Sequence, residues 1–166
     1  PAKNSGFVIL ALGKLGSSEL NYSSDVDLIA LYDQEKAFYT GKKSMHDFFV
    51  RMTQNLVQIL NERTQDGYVF RTDFRLRPDA GATPIAMSMV AAETYYESVG
   101  QNWERAAMIK ARAISGDLES GAAFLDRLKP FVWRKNLDFA AIADIQSIKR
   151  QIDSKNRTRK FQVTGY

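Results

Sequence analysis

The sequence predicts an α+β fold: a small sheet with flanking helices over residues 1–116, followed by the start of an α-helical domain over 117–166. Three observations carry this prediction. Residues 6–12 and 26–32 are uninterrupted apolar runs of strand length, the pattern of strands covered on both faces. Residues 44–63 place Met45, Phe48, Phe49, Met52, Leu56, Ile59 and Leu60 at i, i+3, i+4, i+7 spacing, which is one apolar stripe on a helix. From about residue 117 the pattern is helical spacing alone, in 118–129 and 139–152, with Pro130 as punctuation between them.

The remaining elements follow in order. The polar, Gly-containing run DQEKAFYTGKK reads as a loop, and Ser44 is placed to cap the helix after it. His46, the single histidine, lies beside the apolar stripe and reads as a surface residue. Asp66-Gly67 favours a tight reversal into a strand-like run, YVFRTDFRLRP. DAGATP is a loop, residues 85–87 a short strand, and Ser88 the cap of a helix reaching about residue 97. Gly100 breaks that helix, and a second one is expected over 101–113. The basic run SKNRTRKFQVTGY reads as a solvated tail.

The chemistry concentrates in LGKLGSSELNYSSDVDLIAL. Asp25 and Asp27 stand at i and i+2 at the mouth of the second apolar strand, so both point to one face with Cα atoms about 7 Å apart. Two hard oxygen donors on one rigid edge suit Mg²⁺, which in turn holds nucleotide phosphates. The turn Gly16-Ser17-Ser18 is expected to offer unprotected backbone N–H groups and hydroxyls to phosphate oxygens. A third acid, Asp73, lies on the later strand-like run, where Arg71, Asp73, Arg75 and Arg77 share a face opposite Phe70, Thr72, Phe74 and Leu76. One acid among three arginines suggests a face built for anions, with Arg71 and Arg75 screening incoming phosphate. The ordinary alternative is a solvated face on a half-buried antiparallel strand. In the segment WERAAMIKAR, Arg105, Lys110 and Arg112 have two readings. Either they reach a phosphate, or Glu104 and Arg105 form a buried ion pair beneath Trp103 that joins two helices.

GKLGSSELNYSSDVDLI, TQDGYVFRTDFRLRP and GQNWERAAMIKARAISGD together resemble the glutamine synthetase adenylyltransferase family, within the nucleotidyltransferase superfamily of the polymerase-beta type. The likeness extends over residues 8–152. It implies a small mixed sheet on which Asp25, Asp27 and Asp73 hold two Mg²⁺ ions for in-line displacement at a nucleotide phosphorus, with Gly16, Ser17 and Ser18 holding phosphates. Asp73, set apart from the pair, is the expected base where a hydroxyl is the nucleophile. The implied partner is glutamine synthetase, with a PII-type signal protein and glutamine as regulators and a cytoplasmic location. TQDGYVFRTDFRLRP, WERAAMIKAR and FVWRKNLDFAAIADIQSIKRQI look most like the amino-terminal, deadenylylating half, in which phosphate attacks AMP-tyrosine and ADP is released. The adenylylating half, which uses ATP, and a catalytically idle regulatory domain are the alternatives.

Composition bounds these readings. At 166 residues with 45% apolar and 25% charged side chains, the chain has the makeup of an ordinary globular domain. Its net charge of +4 suits a phosphate-bearing partner but is too small and too evenly spread for duplex nucleic acid. A basic, aromatic-interleaved surface for RNA ends is missing. With no cysteine it has no disulfides, compatible with cytoplasm. Its longest apolar run is a fraction of the ~20 residues a membrane helix needs. The first residue is Pro1 and a strand follows almost at once, so a piece of a longer protein is expected.

Overall fold

A computed structural model describes residues 3–133 of the chain. The elements in order are β1 (Phe7–Ala11), α1 (Gly13–Gly16), β2 (Val26–Tyr32), α2 (Met45–Asn61), β3 (Thr72–Asp73), β4 (Ala86–Ser88), α3 (Met89–Ser98), α4 (Asn102–Met108), β5 (Arg112–Gly116), α5 (Leu118–Arg127) and α6 (Lys129–Val132). The fold is α+β with a mixed sheet in the order β3-β2-β1-β5, and β4 also pairs with β2. β1 runs antiparallel to β2 and β5, whereas β3 and β4 run parallel to β2.

The two apolar runs became the centre of this sheet because they are covered on both faces. Val8, Leu10 and Leu12 of the first run join Ile29 and Leu31 of β2 against Met89, Tyr96, Phe124 and Phe131. Ile9 and Ala11 join Val26, Leu28, Ala30 and Tyr32 against Phe49 of α2. This alternation follows from the period of two along a strand. Asp25 and Asp27 share the parity of Ile29 and Leu31, so they continue that face beyond its apolar part.

The helix caps formed as anticipated. The Ser44 side chain accepts from the Asp47 N–H, and the Ser88 side chain accepts from the Ala91 N–H. On α2, Phe48 and Ile59 fall outside the buried stripe and are exposed, while Phe49 and Thr53 are its buried positions. Among the described residues, no helix is long and apolar enough to cross a membrane.

Two expectations are corrected. The run YVFRTDFRLRP is a strand only at Thr72–Asp73 and is parallel to β2. Beyond Phe74 it turns, and Arg77 leaves the supposed shared face to donate to the carbonyls of Phe74, Ala80, Thr83 and Pro84. The expected helix over 101–113 ends at Met108, so Arg112 stands on β5. That segment pairs along the free edge of β1, satisfying backbone groups a longer helix would have left open. Pro130 lies just past the end of α5, in the first turn of α6, where a missing N–H costs nothing. Phe124, Leu128 and Phe131, beyond residue 117, lie in the same apolar cluster as Val8 and Leu10, so the described helices after residue 117 pack on the core. The helix expected over 139–152 and the basic tail lie outside the described residues.

Phe124 is fully buried in that cluster. Phe124→Ala is expected to cost about 3–5 kcal/mol, read as a lowered urea-unfolding midpoint, because a vacated aromatic site collapses only partly.

Candidate active site

The parallel pairing of β2 with β3 sets Val26 opposite Thr72 and Asp27 opposite Asp73. Facing residues on neighbouring strands lie about 5 Å apart, so two acids from segments 46 positions apart in sequence are brought side by side. Several bonds hold this register. The Val26 N–H donates to the Arg71 carbonyl at 2.8 Å, and the Leu12 N–H donates to the Asp27 carbonyl at 2.9 Å. Asn61, at the end of α2, grips Thr72 twice: its Oδ1 accepts from the Thr72 N–H and its Nδ2 donates to the Thr72 hydroxyl, each at 2.8 Å. Asn61 is thus a positioning residue for β3. Sequence reasoning missed it because an Asn at a helix end reads as an ordinary terminus.

The acids differ in environment. Burial pushes the Asp27 carboxyl above its usual range, and the neighbouring charges of Asp73 and Asp25 push it the same way, with Arg75 partly opposing them. Asp73 is held below the usual range by Arg75, whose guanidinium Nε lies 3.0 and 2.9 Å from its two oxygens and whose backbone N–H donates at 2.8 Å. Arg75 in turn is raised by Asp73 first and then, after an opposing desolvation effect, by Asp25 and Asp27, so one guanidinium feels all three carboxylates. Arg71 Nε pairs with Asp25 at 2.7 Å, and its Nη2 donates to the Ser23 carbonyl. The two arginines therefore neutralise the acids within the protein, where the sequence suggested an incoming phosphate as their target. In this arrangement both oxygens of Asp73, the acid expected to act as base, are bonded to the Arg75 guanidinium.

The adjoining turn differs from expectation. Its N–H groups are not open: Gly16, Ser17 and Ser18 donate to the carbonyls of Leu12, Gly13 and Leu15, because the segment winds into the single helical turn of α1. The Ser17 hydroxyl is 2.9 Å from a Glu19 carboxylate oxygen and 3.1 Å from the Gly13 carbonyl. Gly13 has φ +54°, and a Cβ there would lie 2.6 Å from Asp27 Oδ2, so only glycine lets the turn approach the acid. At Gly16 a Cβ would meet the Lys110 carbonyl at 2.1 Å.

The segment around α4 supports this turn. Arg112 donates to the carbonyls of Gly16 at 3.2 Å and Leu15 at 3.0 Å, and Lys110 Nζ pairs with Glu19 at 3.1 Å. Glu104 is buried and accepts from the Gln101 N–H at 2.8 Å and the Tyr95 hydroxyl at 3.1 Å, and its burial raises its pKa. The Arg105 guanidinium stands over the Phe131 ring, 5.3 Å from its centroid. Consecutive helical residues point about 100° apart, so Glu104 meets Gln101 and Tyr95 while the Arg105 guanidinium lies over Phe131.

A hard divalent cation suits this donor set. All three side chains offer carboxylate oxygens, and mutual repulsion already burdens the most buried of them. Among the described residues no three such groups converge on one point as arranged; Arg75 holds Asp73 and Arg71 holds Asp25 instead.

A family model described as Glutamate-ammonia ligase adenylyltransferase matches residues 1–127. The chain belongs to that family. It is similar over its whole length to proteins named bifunctional glutamine synthetase adenylyltransferase/adenylyl-removing enzyme. Identity is 57% over 166 residues with that of Rhizobium meliloti (strain 1021), 56% over 167 residues with that of Bartonella quintana (strain Toulouse) and 54% over 166 residues with that of Brucella suis biovar 1 (strain 1330). In each case the chain spans 17% of the relative's length. The mixed sheet and flanking helices of this family member are compatible with a nucleotidyltransferase-type fold.

Because the Asp27 carboxyl is raised by burial first and by its charged neighbours second, its sign fixes a pH dependence. The penalty is absent below the unfolded carboxylate range, near pH 3.8, and fully present above the folded pKa. In chelator, Asp27→Asn is therefore expected to raise the thermal midpoint at pH 7 by the equivalent of about 0.5–2 kcal/mol, and the gain is expected to vanish below about pH 3.8.

Proposed function

We propose that this chain carries the nucleotidyl-transfer centre of an enzyme acting on glutamine synthetase, and that it works in the removing direction. Inorganic phosphate attacks the phosphorus of AMP esterified to a tyrosine of glutamine synthetase. The new phosphorus–oxygen bond forms ADP, the bond to the tyrosine oxygen breaks, and that oxygen takes up a proton. The observation that carries this reading is the register of Asp27 against Asp73 beside Asp25.

Asp25, Asp27 and Asp73 are the residues that would hold Mg²⁺, two ions on the family pattern. When bound, the metal supplies Lewis-acid stabilisation of the charge developing on the transferred phosphoryl oxygens. The chain's own contribution is positional. β2 and β3 hold the acids at fixed spacing, Gly13 lets the turn approach Asp27, and Arg71 and Arg75 balance the carboxylate charge. Gly16 shapes that turn; the Ser17 hydroxyl is engaged with Glu19 and the Gly13 carbonyl, and the Ser18 hydroxyl is the group left there to meet a phosphate. Lys110 and Arg112 set the turn in place.

Direction is supported by two points. The segments quoted above look most like the deadenylylating half, and phosphate arrives already ionised, so it needs no general base. A tyrosine hydroxyl in the adenylylating, ATP-using direction does need one, and Asp73 is tied to Arg75. For the whole protein the same family reading brings control by a PII-type signal protein and glutamine, and a cytoplasmic location.

The reaction is tested with the full-length parent protein, adenylylated glutamine synthetase, phosphate and Mg²⁺. ADP is expected to appear in step with the loss of AMP from the substrate. Asp27→Asn and Asp73→Asn are each expected to lower that rate about 10²–10³-fold, the usual cost of deleting one electrostatic anchor of the transition state. Calorimetric Mg²⁺ affinity should fall in the double variant Asp25→Asn with Asp27→Asn. No ADP, or a rate indifferent to these substitutions, rejects the proposal.

A further inference from the structure

The lead-ins to the two parallel strands, residues 20–24 ahead of β2 and 68–71 ahead of β3, enclose a cleft of about 640 Å³. That volume lies within the range of small-molecule sites, about 300–1,000 Å³. Its walls carry Tyr22, Tyr68 and Phe70, together with Asn21, Ser24 and Arg71. Tyr22 is fully exposed, and Tyr68 and Phe70 are 43% and 46% exposed. Folding gains little from aromatic area left in water, and grouped exposed aromatics mark a binding surface.

The cleft borders Asp25 through Arg71. Arg71 lines it and also bonds Asp25, and Ser24, which precedes Asp25, accepts from Lys14 Nζ at 3.0 Å. A nucleotide whose base lies on the aromatic walls therefore extends past Arg71 toward Asp25. The lining is also not purely apolar. The Ser24 hydroxyl donates to Asn21 Oδ1, which orients the amide and leaves the Asn21 Nδ2 donors with no partner among the described residues. Donors beside aromatic faces suit a heteroaromatic ring with acceptor nitrogens on its edge better than a plain phenyl ring.

The geometry points to a nucleobase subsite: the base of the AMP moiety stacks among Tyr22, Tyr68 and Phe70 and meets Asn21 at its edge, while its phosphate reaches the acids past Arg71. This rests on the carboxylates being the nucleotidyl-transfer centre and adds the element that selects a nucleotide over a bare phosphate ester. Stacking of one base on an aromatic side chain is worth about 1–3 kcal/mol, which is about 5–150-fold in affinity.

The test is a local one, made on the full-length parent protein so that any second nucleotide site does not contribute. Photolabelling with 8-azido-AMP, followed by peptide mapping, is expected to mark the peptides holding residues 20–24 and 68–71. AMP should protect them, and ribose 5-phosphate, which lacks only the base, should not. The half-protecting AMP concentration is expected to rise about 5–150-fold in Phe70→Ala and in Tyr22→Ala, and to stay near the parent value in Tyr22→Phe. Tyr22 is fully exposed, so its replacement leaves folding intact. Labelling elsewhere, or equal protection by AMP and ribose 5-phosphate, overturns the subsite. So does a raised KM for adenylylated glutamine synthetase with unchanged AMP protection, which would assign the cleft to a protein segment. If Asp27→Asn still abolishes ADP formation in that event, the transfer centre stands and only the subsite falls.

Discussion

Carboxylates repel one another, and the arrangement of this molecule depends on a short stretch of parallel pairing that forces them together. β3 pairs with β2 over only Val26↔Thr72 and Asp27↔Asp73, yet that is enough to fix two acids from distant segments side by side. The cost appears on Asp27, the most buried of the three, whose carboxyl is pushed up by burial and by its two neighbours. The offset appears on Arg71 and Arg75, which neutralise the outer two. Both guanidinium groups reach the acids from the solvent side, Arg75 the more exposed of the two.

Such a strained group needs a stiff support, and the sheet supplies it. β1 and β2 are buried on both faces, so neither can shift without opening two apolar clusters at once. The two-residue strand β3 could not hold its place alone. Asn61 ties it to the end of α2, and the Arg71 carbonyl ties its lead-in to Val26. On the other side, Arg112 and Lys110 fasten the α1 turn that approaches Asp27 through Gly13. Residues that read as candidate phosphate ligands in the sequence thus carry a structural load one step behind the acids. Glu104 and Arg105 lie further back still, capping α4 and packing on Phe131.

Elements with a strong local signal were legible directly. The apolar runs of β1 and β2, the stripe of α2 and the caps Ser44 and Ser88 each rest on periodicity or on a side-chain bond within a few residues. The Asp25, Asp27 pair was legible for the same reason, since i and i+2 on a strand share a face whatever the rest of the chain does. Asp73 stood out among its arginines, but its surroundings were not legible, because alternation in YVFRTDFRLRP suggested a long strand that does not form. Arg77 shows why: four backbone carbonyls of the following turn compete successfully for its guanidinium.

The amino-acid order alone therefore determined which segments are buried, where the main helices begin and which face of β2 carries its acids, because each is settled by contacts a few residues apart. Tertiary structure alone decided that β3 is short and parallel, that Arg112 stands on a strand, that the α1 turn closes its own N–H groups and that Asn61 holds Thr72. Those outcomes depend on which distant backbone groups and charges come within reach once the sheet has formed, and local spacing contains no record of them.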